Sequence, residues 1–197
     1  QGQLAHTLMP VGEYEKSAVR EMAEKAGLPV AHKPDSQEIC FVPDKDYAGF
    51  IERTIGKPSP EGNFVRADGT VLGCHKGIIH YTVGQRRGLG LAMGRRVAVT
   101  EIRPESNEVV IGEQEDVWTD RLLAERLNFM AVPDLEGERE AEARIRYNHR
   151  GAPCTVRRTG ADQVSVIFHE PVRAVTPGQA VVFYDGELVL GGGTIVR

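Results

Sequence analysis

The sequence has few cysteines and no long apolar run. Cys40, Cys74 and Cys154 are the only cysteines in 197 residues, an odd and sparse set that argues against a secreted disulfide scaffold. No apolar stretch is long enough to span a bilayer, and the first residues lack the pattern of a signal peptide. We therefore expect a cytoplasmic protein with no membrane partner. Because no initiator Met is present, we expect a fragment or a processed chain.

Several chemical signatures are also missing. The sequence contains no Walker motif, no Ser-Gly-Gly-x-Asp-Ser pyrophosphate loop and no Ser–His–Asp arrangement that spacing would favour. Cys74, His75 and His80 are too few for a structural zinc site, which needs four ligands. We predict no metal site and no nucleotide-activating site in this chain.

Acidic residues are absent from residues 70–100, where five basic residues lie, although the net charge of the whole chain is −4. Residues 101–142 carry thirteen acids against four bases, and residues 143–197 carry four acids against seven bases. A polyanion responds to the local field within about 10 Å, so the distribution matters more than the sum. The basic stretches are either solvated faces without a partner or a segregated surface for a polyanion, and their separation by an acidic block favours the surface.

Hydrophobic periodicity predicts two helices followed by a β-rich remainder. The helices cover 14–26, ended by Gly27, and 44–55. Two hairpins follow, one turning at 68–69 and one at 104–107, and residues 113–120 read as a connector.

Strand patterns then recur to the end of the chain. They cover 127–132, 141–147, 154–158, 164–168, 180–184 and 187–196. This spacing indicates a small closed barrel or a sandwich. Three consecutive glycines, 191–193, imply sharp curvature or close backbone approach within the last strand, which suits barrel closure.

Three segments contain candidate reactive or ligand-binding residues. Cys40, in the segment 34–41, is either a small apolar residue facing the core beside Ile39 and Phe41 or a reactive thiol. The loop 84–90 (GQRRGLG) is either a charged turn or a phosphate-binding loop. In 144–150 (RIRYNHR), alternation places Ile145 and Tyr147 on one face. This segment is either a charge-protected edge strand or an RNA contact.

These segments resemble the bacterial tRNA-specific 2-thiouridylases. Residues 34–41 (PDSQEICF) are similar to the second-cysteine motif of that family, and 77–90 (GIIHYTVGQRRGLG) to its central-domain signature. Residues 176–180 (TPGQA) and 190–193 (LGGG) resemble the end of its C-terminal barrel. The segment 10–30 is similar to the close of its ATP-pyrophosphatase domain.

The resemblance implies a mainly β fold with short helices. The expected order is a remnant of an α/β domain over 1–44, a small central β-rich domain over 45–118, and a six-stranded antiparallel β-barrel over 119–197. It also implies roles for particular residues. Cys40 matches the cysteine that carries sulfur as a persulfide, and Arg146, Tyr147 and Gln179 match the tRNA contacts of the family.

The family uses ATP and Mg²⁺ to adenylate the wobble uridine of tRNA and receives sulfur from a sulfurtransferase or a sulfur-relay protein. The pyrophosphate loop of the family is absent from this sequence, and so is the partner cysteine that assists the persulfide carrier and can form a disulfide with it. We therefore expect this chain to be part of an ATP-dependent tRNA-uridine 2-sulfurtransferase. By itself, the chain is expected to have no thiolation activity. The alternative interpretation is a non-catalytic RNA-binding module on a translation-factor-like barrel, with Cys40 structural.

Overall fold

The structure is a computed structural model that describes residues 2–34, 39–42 and 44–196. The chain forms two compact units, Gln1–Ile55 and Gly56–Arg197. Four residues of the second-cysteine motif, 35–38, lie outside the described residues.

The described part of the first unit consists of helices and turns. It contains a short 3-10 helix, Leu4–His6, and the α-helices α1 (Lys16–Lys25) and α2 (Tyr47–Ile55), which confirm the two predicted helices. Gly27, with φ +68°, follows the end of α1 as expected for a helix terminator. The carboxylate of Asp46 accepts a hydrogen bond from the Gly49 N–H at 3.0 Å and so caps the first turn of α2.

The second unit begins with a four-stranded sheet in the order β2-β1-β4-β3. Its strands are β1 (Gly62–Val65), β2 (Val71–His75), β3 (Val97–Arg103) and β4 (Glu108–Glu113). The antiparallel pairs β1–β2 and β3–β4 confirm both predicted hairpins. A parallel pairing of β1 with β4 joins them into one sheet. The core of this sheet is formed by Phe64, Tyr81, Leu89, Val99, Val109 and Ile111.

Six antiparallel strands then close into a barrel in the order β10-β5-β8-β7-β6-β9. They are β5 (Trp118–Phe129), β6 (Glu138–Arg144), β7 (Ala152–Gly160), β8 (Gln163–Arg173), β9 (Ala180–Asp185) and β10 (Leu188–Ile195). The predicted mainly β fold and six-stranded barrel are confirmed, and the sandwich interpretation is wrong. Apolar residues from every strand fill the interior, with Cys154 and Phe183 among the most buried.

The first barrel strand begins earlier than predicted. The sequence indicated a connector over 113–120 and a strand over 127–132, whereas β5 begins at Trp118 and ends at Phe129. Leu122 and Ala124 face the core, but the preceding residues 118–121 are mostly exposed and carry no alternation that could be read from the sequence. Pairing with β8, in which Trp118 lies opposite Arg173, extends the strand over these residues.

The three glycines of β10 confirm the predicted close backbone approach. A Cβ atom at Gly192 would lie 2.4 Å from the Val181 carbonyl oxygen, and one at Gly191 or Gly193 would also meet the backbone of β5 within 3.0 Å. β10 therefore fits between β9 and β5 only because these residues have no side chain. Among the helices of the described residues, none is long and apolar enough to cross a membrane.

Candidate nucleic-acid interface

The loop after β6 presents Arg146 and Tyr147 at one end of the barrel. Ile145 is only 2% exposed, whereas Tyr147 is 100% exposed. The predicted alternation, which put these two side chains on one face, is therefore wrong, because β6 ends at Arg144 and the chain turns. A hydrogen bond from the His149 N–H to the Arg146 carbonyl oxygen, 3.0 Å long, closes the turn. The Tyr147 ring is left open to stacking by a base.

Arg144 and Arg146 differ in whether a carboxylate pairs with the guanidinium group. The Arg144 guanidinium donates two hydrogen bonds to Glu142, both 3.2 Å, and lies 4.5 Å from the ring centre of Tyr184. Arg146 donates from Nη1 to the carbonyl oxygen of Arg173 at 2.9 Å, and no carboxylate of the described residues forms an ion pair with it. A guanidinium has five N–H groups, so Arg146 is held in place with donors left for a phosphate.

His149 adds no positive charge to this loop near neutral pH. Burial lowers the pKa of His149, and the positive charge of Arg146 lowers it further. The Nδ1 atom of His149 accepts a hydrogen bond from the Gly151 N–H at 3.3 Å, which requires an unprotonated Nδ1. The charge available for an anion therefore comes from arginine and does not vary over the physiological pH range.

Gln179 lies in a tight turn before β9. Gly178, with φ +86°, donates its N–H to the Ile195 carbonyl oxygen, and the Gln179 carbonyl oxygen accepts from the Ile195 N–H, both at 2.8 Å. These bonds attach the turn to the end of β10 and leave the Gln179 side chain exposed.

The strand register places Gln179 near the loop after β6. Arg144 of β6 lies opposite Val182 of β9 in an antiparallel pair. The carboxyl end of β6 and the amino end of β9 therefore lie at the same end of the barrel. The structure thus brings Arg146, Tyr147 and Gln179 to the same end of the barrel.

Arg173, at the end of β8, joins this end of the barrel to the arginine loop, which we define as residues 84–97. Its Nη2 atom donates to the Gly84 carbonyl oxygen at 2.9 Å, while its own carbonyl oxygen accepts from Arg146. A Cβ atom at Gly84 would lie 2.7 Å from that of Ala174, so a larger residue would prevent this approach. No local sequence pattern indicates this role of Arg173, because its partners lie 27 and 89 residues away.

Cys40 is exposed within the first unit. Ile39 and Phe41 are exposed as well, at 46% and 62%, and the buried residue of this segment is Val42. The Phe41 ring contacts the Phe50 ring, with centroids 5.3 Å apart. The interpretation of Cys40 as a residue facing the core is therefore wrong, and its sulfur is accessible to a reaction partner.

His75 has a structural role. Its Nε2 atom hydrogen-bonds the Asn107 carbonyl oxygen at 3.1 Å, and its Nδ1 atom accepts from the Gly77 N–H at 3.0 Å. Both ring nitrogens are therefore used by backbone groups, and burial lowers the pKa of the ring. Within the described ranges, no three His, Cys, Asp or Glu side chains come close enough together to hold a metal ion.

Three family models match the chain one after another. Residues 1–44 match the model described as tRNA methyl transferase HUP domain, and residues 48–113 match tRNA methyl transferase PRC-barrel domain. Residues 119–195 match Aminomethyltransferase beta-barrel domain.

Curated relatives match over the full length of the chain. The tRNA-specific 2-thiouridylase MnmA of Lachnoclostridium phytofermentans is 61% identical over 197 residues, which are 100% of this chain and 55% of that protein. The protein of the same name from Carboxydothermus hydrogenoformans is 53% identical over 197 residues, 100% of this chain and 54% of that protein. The chain belongs to the tRNA-specific 2-thiouridylase family. It spans about half the length of the curated relatives it matches.

The three thiols of this member of the 2-thiouridylase family should differ sharply in reactivity. Burial raises the pKa of Cys154 from its usual 9.0 to about 12, whereas Cys40 and Cys74 are exposed. At a pH of about 8, only on the order of one Cys154 in ten thousand is a thiolate, and the thiolate is the reactive form. We expect an alkylating reagent to label Cys40 and Cys74 rapidly in the folded chain and Cys154 only after unfolding, as measured by peptide mass spectrometry. Rapid labelling of Cys154 in the folded chain would contradict the burial of this thiol.

Proposed function

We propose that this chain forms the tRNA-recognition and sulfur-carrying part of a tRNA 2-thiouridylase. Its barrel end binds tRNA, and Cys40 carries a persulfide sulfur to C2 of the wobble uridine after the uridine oxygen has been adenylated. The main support is the juxtaposition, at one end of the barrel, of an Arg146 guanidinium without a carboxylate partner in the described structure and a fully exposed Tyr147 ring.

The three side chains at the barrel end offer complementary contacts to RNA. The guanidinium of Arg146 suits a phosphate, the ring of Tyr147 suits an unstacked base, and the amide of Gln179 can donate to and accept from a base or a ribose hydroxyl. Phosphate contacts position the RNA, whereas contacts with unpaired bases give selectivity. This end of the barrel therefore suits a looped or bent region of an RNA better than a regular duplex.

The sulfur chemistry needs an exposed thiol that can form its thiolate. The Cys40 thiolate attacks the outer sulfur of the donor's persulfide, which forms a persulfide on Cys40 and releases the donor thiolate. The outer sulfur on Cys40 then bonds to C2 of the activated uridine as the activated oxygen leaves. A second thiolate attacks the inner sulfur of Cys40, the S–S bond breaks, and its electron pair stays on the sulfur at C2. The two protein thiols are thereby oxidised to a disulfide. The donor is a persulfide-bearing sulfurtransferase or relay protein. The cysteine whose thiolate attacks Cys40 is not among the residues of this sequence.

The residues of this chain do not fit ATP or Mg²⁺. The sequence has no Ser-Gly-Gly-x-Asp-Ser loop, and the described residues contain no cluster of metal-binding side chains. Activation of the uridine therefore requires residues that this sequence does not include, and the chain alone is expected to bind tRNA without modifying it.

Two of the three family models and the curated relatives name tRNA, but they differ in the group transferred. Two family models are described as methyl transferase domains, whereas the relatives are named 2-thiouridylases. The exposure of Cys40 favours sulfur transfer, because a sulfur carrier must be reached by both donor and substrate. A non-catalytic RNA-binding module would bind tRNA equally well but would not accept sulfur from a persulfide donor. Mass spectrometry of Cys40 after incubation with such a donor distinguishes the two.

Binding of tRNA to this chain should depend on Arg146 and Tyr147. We expect Tyr147→Ala to weaken binding about tenfold through the loss of base stacking, and Arg146→Ala to weaken it about fivefold through the loss of a phosphate contact. The measurement is fluorescence anisotropy with labelled tRNA at low salt.

Matched variants separate these contacts from general effects of charge. Tyr147→Phe keeps the ring and should bind nearly as well as the native chain. Arg157→Ala removes a guanidinium that already pairs with Glu138 at 3.5 Å and should change binding less than twofold, as expected for an exposed pair. Absence of tRNA binding by the native chain at low salt would overturn the proposed function.

A further inference from the structure

The arginine loop lines a strongly basic cavity that is open to solvent. Residues 86–92 and 95–97 line a space of about 740 Å³, and four of them are arginines: Arg86, Arg87, Arg95 and Arg96. All four arginines are exposed. The cavity is too large and too open to bind one small anion tightly. The polar side chains that line it are arginines, which are hydrogen-bond donors.

The backbone of the arginine loop also presents donors. Gly88 and Gly90 have φ values of +72° and +69°, which only glycine adopts easily. The Gln85 side chain fixes the turn, because its oxygen accepts from the Thr82 N–H at 3.1 Å and its nitrogen donates to the Arg87 carbonyl oxygen at 3.0 Å. Within the described structure, no group accepts a hydrogen bond from the backbone N–H groups of residues 86–96. Free N–H groups in a glycine-rich turn are a common means of binding anions.

Three of the four arginines have no carboxylate partner among the described residues, and two of these three, Arg87 and Arg96, have no side-chain hydrogen bond either. Arg95 forms an ion pair with Glu113, and Arg86 donates to the side-chain oxygen of Gln114 at 3.4 Å. Arg87 and Arg96 form no ion pair with any carboxylate in the described ranges. Arginine holds phosphate through two parallel N–H···O bonds, so these two side chains are the preferred phosphate ligands of the loop.

The loop starts beside the barrel end that carries Arg146. The Gly84 N–H donates to the Val99 carbonyl oxygen at 2.7 Å, and the Gly84 carbonyl oxygen accepts from Arg173 at 2.9 Å. Arg87 is three residues from Gly84, so its Cα atom lies within about 11 Å of that junction. One ligand of the size of a folded RNA can therefore contact both the barrel end and the arginine loop.

We propose that the arginine loop is a second phosphate-binding site, at which Arg87, Arg96 and the free backbone N–H groups bind the sugar-phosphate backbone of the tRNA held at the barrel end. This inference rests on the proposed function. The site reads no base, so it contributes affinity and orientation rather than sequence selectivity. An acidic protein surface is the competing ligand class, but four exposed arginines in one glycine-rich loop suit the repeated phosphates of a nucleic acid better than scattered carboxylates.

The test is tRNA binding by the whole chain as a function of salt. We expect Arg87→Gln/Arg96→Gln to lower affinity about tenfold at about 0.1 M salt and to reduce the slope of log K against log salt by about 1.5, because two phosphate contacts are lost. The matched control is Arg139→Gln/Arg157→Gln, which changes the net charge equally but removes arginines that already pair with Asp185 and Glu138. The control should retain the native slope and bind within about twofold.

Arg87→Lys/Arg96→Lys, which keeps the charge but loses the two-pronged geometry, should fall between the native chain and the glutamine variant. If the native chain does not bind tRNA, the proposed function itself fails. If it binds and Tyr147→Ala weakens it, but the glutamine variant of the loop matches the control, only this inference is overturned. An unchanged tRNA isotherm combined with impaired sulfur transfer from the donor protein to Cys40 would also overturn it and would favour an acidic protein ligand.

Discussion

The proposed thiolation of tRNA is expected to be lost when Cys40 is replaced by serine. A hydroxyl group cannot hold a persulfide, so the sulfur has no carrier and the rate should fall at least about a thousandfold. The measurement is ATP-dependent incorporation of sulfur into tRNA, followed by nucleoside mass spectrometry. The affinity for tRNA should be unchanged, because the proposed RNA contacts of the barrel lie elsewhere in the sequence.

Cys74→Ser is the matched control for this substitution. Cys74 is also exposed, and its Sγ atom lies 4.0 Å from the Asn63 side-chain oxygen, a weak contact whose loss should matter little. We expect this variant to keep its activity within about twofold. Retention of full activity by Cys40→Ser would remove the assigned role, and equal losses in both variants would indicate a general effect on folding.

Gly192→Ala should destabilise the barrel strongly. The added Cβ atom would meet the Val181 carbonyl oxygen at 2.4 Å, so β10 and β9 must move apart at a point where backbone rather than a flexible side chain is in the way. We expect a loss of about 3 kcal/mol in the free energy of unfolding. The buried Cys154 thiol reports barrel opening, and the urea concentration at which it becomes labelled should fall by at least about 1 M.

Gly160→Ala is the control for the glycine substitution. Gly160 ends β7, and a Cβ atom there would lie 3.4 Å from the Gln163 Cβ, an ordinary contact. Its labelling midpoint should stay close to that of the native chain. If Gly192→Ala behaves like Gly160→Ala, the close approach of β10 to its neighbours does not require glycine.

Local chemistry made the hairpins predictable. Asp68 accepts a hydrogen bond from the Thr70 N–H at 2.9 Å, and Gly69 adopts φ +86°, so the turn is determined by four consecutive residues. The turn between β9 and β10 likewise has a glycine with positive φ, Gly186 at +58°. The residues that determine such a turn are adjacent in the sequence, so the turn can be predicted from the sequence.

Features that depend on distant residues were missed. The parallel pairing of Asn63 with Glu108 joins two hairpins and has no local signal. The role of Arg173 depends on the Gly84 carbonyl oxygen and on the Arg146 guanidinium, both distant in the sequence, so it could not be inferred from the side-chain pattern. Ile145 is buried and Tyr147 is exposed because β6 ends at Arg144, before both residues, and the chain then turns. The ends of strands are the part of a sequence-based assignment with the largest errors.

The position of β10 in the sequence determines when, during synthesis, the barrel end with Arg146, Tyr147 and Gln179 can fold. β10 pairs with β5 on one side and with β9 on the other, so it is the strand that closes the barrel. During synthesis the hairpins β6–β7 and β7–β8 can form as soon as they emerge, whereas contacts between β5 and β10 must wait for a strand made much later. The turn that holds Gln179 is attached to the same late strand through Ile195. A nascent chain therefore cannot assemble this end of the barrel before β10 has emerged, and the proposed tRNA contacts are complete only in chains that have finished their last barrel strand.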